Sequence, residues 1–149
     1  MQIIKRHRWL LLPLILLVAI WIFSAMPGAI SNSQSLPFAH SLHLPHALVR
    51  KLAHIFIYAL LGVTWFIYYR SIIKRHDLLL VIILSLLSCF LSAALDEFHQ
   101  SFVPYRSGLI TDVLIDTLAA SIGILLALFV AKLHAKTKSA QQKPKPHSK

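Results

Sequence analysis

Hydrophobic residues gather into four runs along this chain: Trp9 to Met26, Leu52 to Tyr69, Leu78 to Leu95 and Leu109 to Ala131. Each is near the ~20 residues that a helix needs to cross a bilayer. The pattern predicts an all-α integral membrane bundle of four transmembrane helices, formed by residues 1–131. Residues 132–149, where Gln141, Gln142, Pro144 and Pro146 stand among lysines, are expected to form a disordered basic tail along the membrane surface. Lys5, Arg6 and Arg8 before the first run would also suit a signal peptide, but the segment Phe23-Ser24-Ala25-Met26-Pro27 sets a bulky residue and a proline beside the small one. That is a poor cleavage site, so the run is assigned as a retained helix.

Helical spacing gives three of the runs a polar face. Lys51, His54, Tyr58 and Gly62 share one side of the second helix. Ser85, Ser88, Ser92, Asp96 and His99 share a side of the third, with Gln100 beside them and Glu97 at the margin. On the fourth, Asp112 and Asp116 stand above Ala119 and Gly123, and small residues of this kind let membrane helices approach closely. The serine stripe has two readings, a polar pathway into the membrane and close packing by small side chains. Trp65, Tyr68 and Tyr69 are expected at the cytoplasmic end of the second helix as part of an aromatic belt.

Composition agrees with a membrane domain: 57% of residues are hydrophobic and 13% charged, against about 25% charged in soluble domains. The net charge of +10 is carried between the apolar runs, as basic loop flanks at a membrane require, and calls for no nucleic acid partner. With both termini cytoplasmic, 12 of the 15 lysines and arginines lie inside, which sets the orientation. Cys89 has no partner cysteine and is expected in packing. His40, His43 and His46 recur every third residue, but Pro45 interrupts the helix and no acid or cysteine completes a ligand set, so neither a metal site nor a cofactor is expected.

The distribution of acids changes this picture most. Of five carboxylates, Asp96, Glu97, Asp112 and Asp116 fall within one stretch at the external end of the third and fourth helices. An acid turned toward lipid costs up to ~2.5–3.5 kcal/mol at a helix centre, so these are expected to face inward. Lys51 near a helix N-terminus and Asp96 and Glu97 near a C-terminus have the sign that the helix dipole disfavours. A network of Lys51, His54, Asp96, Glu97, Arg106, Asp112 and Asp116 would relieve both.

These residues resemble the VanZ-like family of small bacterial membrane proteins, through Lys51-x-x-His54-x-x-x-Tyr58, Asp96-Glu97-x-x-Gln100, Arg106 and Asp112. The likeness extends to Ser24-Ala25-Met26-Pro27-Gly28 and to the stretch from Ser31 to Ser35, and so runs from the first helix to about Gly123. It departs at Asp116-Thr117-Leu118-Ala119, where the family often has Asn followed by a Leu-Gly pair. The resemblance implies a cell-envelope protein, in a family named after a member linked to low-level resistance to the glycopeptide teicoplanin. Two functional expectations follow for the polar end. In one, an enzyme acts on a lipid-linked or peptidoglycan-related headgroup, with Glu97 or Asp96 as general base and His54 as acid or shuttle. Lys51 and Arg106 would then hold an anionic group, and Tyr58, Gln100, Asp112 and Asp116 would complete the binding set. In the other, the same residues serve a non-catalytic binder or small transporter whose partners are membrane lipids, a lipid-linked headgroup or a glycopeptide. No nucleophile elbow, zinc motif or phosphatase signature accompanies them.

Overall fold

The computed structural model describes residues 7–26, 45–73, 76–104, 106 and 108–141. Four α-helices and one short 3-10 turn make up the described residues, with no strand among them. The turn Arg8–Leu10 leads into α1, Leu11–Ser24; α2 spans His46–Ile72, α3 Leu78–Gln100 and α4 Ile110–Gln141. The loop holding His40 and His43 lies outside the described residues.

Three segments, Leu48–Ile72, Leu78–Gln100 and Ile110–Lys138, are long and apolar enough to cross a membrane, while Arg8–Ser24 is apolar but shorter. Outward side chains such as Phe56, Leu79, Ile110, Leu118 and Ile122 are exposed, an arrangement that suits lipid rather than water. α4 continues through residues 132–141, which were expected to be irregular. Lysine, alanine and leucine are good helix formers, and a helix already nucleated over its apolar length extends cheaply into such a segment.

Pro45 is extended and starts α2, since its ring cannot occupy a helix interior. α2 and α4 run in the same direction and α3 runs against them, because Lys51 early in α2 meets Asp112 early in α4 while Leu109 meets Glu97 late in α3. α1 also runs against α2. His7 Nδ1 lies 3.3 Å from the Tyr68 hydroxyl, and Ser24, at the other end of α1, lies 3.4 Å from Gln100 Nε2.

Contact between α2 and α4 is made backbone to backbone. A Cβ on Gly62 would strike the carbonyl oxygen of Ala120, and one on Gly123 that of Ala59. Around this crossing Tyr58, Leu61, Cys89, Ala93, Ala119 and Ala120 form a buried cluster. The hydroxyls of Ser85 and Ser92 bond back to Val81 and Ser88 carbonyls of their own helix. Ser88 meets the Tyr69 hydroxyl at 2.9 Å, so the stripe packs as small residues do rather than opening a path. In the aromatic group Trp65 stacks on Tyr69 at 5.4 Å and Tyr68 is buried.

Gly62→Val and Gly123→Val should each destabilise the bundle by about 1–3 kcal/mol or more, the usual effect of overpacking. Ile122→Val, on the exposed face, should melt as the wild type. Thermal melts of the detergent-purified chains, followed by circular dichroism, check both expectations.

Candidate functional site

The end of the bundle where α2 and α4 begin and α3 finishes holds a cavity of about 470 Å³. α2 supplies Lys51 and His54, and α4 supplies Asp112 and Asp116. Glu97 and Gln100 come from the last turns of α3, and Arg106 from the segment joining it to α4. All seven were expected at a common site from sequence. Asp96 and Tyr58 are not in the lining: both are buried, and the Tyr58 ring lies below His54 with centroids 6.2 Å apart.

Lys51 Nζ reaches Asp112 Oδ1 at 2.7 Å, and both side chains are partly exposed. Three positions along α2, His54 Nδ1 stands 3.6 Å from Asp116 Oδ2, with Asp116 only 3% exposed. The two contacts therefore differ in depth. An exposed pair adds at most about 1 kcal/mol, whereas stripping a buried carboxylate of its partner costs more.

Gln100 organises the α3 acids. Its Nε2 donates to Asp96 Oδ2 at 2.8 Å and to Glu97 Oε1 at 3.3 Å. Its Oε1 accepts from Arg106 Nη1 at 3.1 Å. One turn of helix separates Asp96 from Gln100, which places the amide over both acids. The second oxygen of Glu97 accepts from the backbone N–H of Leu109 at 2.9 Å. Relief of the acids at the α3 C-terminus thus comes from an amide and a backbone donor, and Lys51 pairs with the α4 acid instead.

Arg106 also links the site to α1, since its Nη2 donates to the Phe23 carbonyl at 3.4 Å. Burial, and then the nearby charge of Arg50, lowers its pKa from the usual value, with Asp96 and Glu97 partly opposing. An arginine still keeps its proton under such conditions. Sequence reasoning missed three participants: Arg50 in the lining, Ser24 behind Gln100, and the Leu109 N–H. Arg50 adjoins Lys51, so the double cation was a readable signal. A backbone donor in a loop leaves none. His99, expected on the acid face, stacks flat on Trp21 with ring centroids 4.8 Å apart.

The difference in depth is measurable. His54→Ala should cost about 2 kcal/mol by leaving the buried Asp116 without its imidazole, and adding Asp116→Asn should return most of that loss. Lys51→Ala should cost less than about 1 kcal/mol. Equal losses for the two single variants in thermal melts would contradict the assignment.

No curated protein and no solved structure matches the chain. A family model described as VanZ/LLP1 matches residues 9–131, which covers α1, α2, α3, most of α4 and every residue of the cavity named above. The chain therefore belongs to the VanZ/LLP1 family, and its long apolar helices suit a membrane protein.

Proposed function

We propose that this protein holds the polar headgroup of an envelope lipid or lipid-linked envelope precursor at the outer face of the membrane, and through it contributes to envelope processes that include glycopeptide (teicoplanin) resistance. The observation that carries this is the cavity itself: the charged groups surround about 470 Å³ of space. Ion pairs that served only to fasten helices would close on one another and pack solid.

The balance of charge supports a headgroup of mixed character. Among the described lining residues, Arg50, Lys51 and Arg106 oppose Glu97, Asp112 and Asp116. A purely anionic ligand would meet three carboxylates and a purely cationic one three cations. A phosphate carrying hydroxyl-rich or amine-bearing substituents finds partners of both kinds, the cations for phosphate and the acids for donors.

The accompanying topology has four transmembrane helices with both termini cytoplasmic. α1 supports the fourth crossing, because its two ends meet the inner end of α2 and the outer end of α3. The concentration of lysine and arginine at the opposite end from the cavity supports the orientation. An enzyme acting on the same headgroup is favoured by one observation: His54 beside Asp116, with Glu97 in the same cavity, is an acid–base arrangement within reach of a ligand. A conduit finds less support, since Tyr58, Ala119 and Ala120 are packed beneath the cavity.

Two experiments test the proposal. A membrane-impermeant maleimide should label Ser101→Cys in intact cells but Lys138→Cys only after permeabilisation; the reverse pattern would overturn the orientation. A strain lacking the gene should change in envelope lipid profile or teicoplanin sensitivity. Wild type should restore it, and Lys51→Ala and Glu97→Gln, present at normal abundance, should not. Full restoration by both variants would sink the proposed site.

A further inference from the structure

A second concavity lies at the opposite end of the bundle, between the turn before α1 and the later halves of α2 and α4. It is an open groove of about 550 Å³, a volume within the ~300–1,000 Å³ usual for ligand sites. Its walls are hydrocarbon and aromatic, from Val63, Phe66, Ile67, Leu126, Ala127 and Val130. Arg70 lines the same groove. Its Nη1 is buried and has no hydrogen-bond partner among the described residues.

Among the described residues no acid pairs with that guanidinium. Asp112 and Asp116 contact Lys51 and His54 at the far end, Asp96 and Glu97 are held there by Gln100, and Asp77 faces His76 at 3.6 Å. An arginine in an apolar wall needs an anion, and the surrounding membrane supplies one in the phosphate of its acidic lipids. Arginine also suits that group by geometry, since its planar fork can donate two hydrogen bonds to one phosphate.

We propose that this groove seats one anionic glycerophospholipid, with its phosphate on Arg70 and an acyl chain along Phe66, Leu126 and Val130. The competing account is that Arg70, in the last turn of α2, only complements the helix dipole and extends toward water. That account needs no bound lipid and implies no choice between headgroups. The groove shares no residue with the polar cavity, so its occupancy stands or falls independently of the headgroup site.

The test uses the full chain purified in detergent and offered equal amounts of dioleoylphosphatidylglycerol and dioleoylphosphatidylcholine, with retained lipid counted by native mass spectrometry. The wild type should retain one phosphatidylglycerol with about fivefold preference, the factor expected of one basic group near an anionic lipid surface. Arg70→Gln should abolish the preference and Arg70→Lys should keep part of it. Val130→Trp, which fills the groove from its exposed side, should reduce retention of both lipids without lowering the melting temperature. Equal retention of the two lipids by the wild type would overturn the proposal. So would an undiminished preference in Arg70→Gln, or undiminished retention of both lipids in Val130→Trp.

Discussion

The backbone approach of α2 and α4 at Gly62 and Gly123 is the constraint on which the polar end depends. Two membrane helices gain little from hydrophobic attraction in lipid, so close van der Waals contact between small residues has to supply much of their association. Because the helices run the same way, that contact also sets which side chains meet toward their common start. Lys51 comes to Asp112, and His54 comes to Asp116. A side chain at either glycine would separate the helices and with them the cation from the acid.

Placing four carboxylates at one end of such a bundle creates an electrostatic demand that the fold meets in two ways. The α4 acids take a lysine and a histidine from α2. The α3 acids take neutral donors, the Gln100 amide and the Leu109 N–H. Neutral donors stabilise a carboxylate without consuming a cation. The guanidinium of Arg106 consequently bonds Gln100 and the end of α1, and three cations still line the cavity. Membership of the VanZ/LLP1 family and the long apolar helices set this arrangement in a membrane protein.

Much of this organisation was legible because helical and membrane periodicities are strong signals. Apolar length marked the helices, and spacing put Lys51, His54, Asp112 and Asp116 on facing sides before any contact was known. What periodicity could not supply was the partner of each group. Lys51 is equally suited on paper to Asp96, Glu97 or Asp112, and only the parallel packing of α2 and α4 selects the last. The role of Gln100 as a bridge between acids and Arg106 depends on side-chain reach at a helix end, and the Leu109 contact on a loop path. The serine stripe was ambiguous for a related reason: a hydroxyl can bond its own backbone without altering the pattern of residue types.

Direct titration separates a charged end that binds a headgroup from one that only fastens helices. The full chain in nanodiscs would be titrated with a short-chain polyprenyl diphosphate sugar, alongside Lys51→Gln/Asp112→Asn, which removes one partly exposed ion pair without changing net charge. A headgroup site should give saturable binding by the wild type, weakened at least about tenfold in the double variant, about 1.4 kcal/mol in binding free energy, with the melting temperature nearly unchanged. No saturable binding by the wild type, or equal affinity in the two chains, would contradict it.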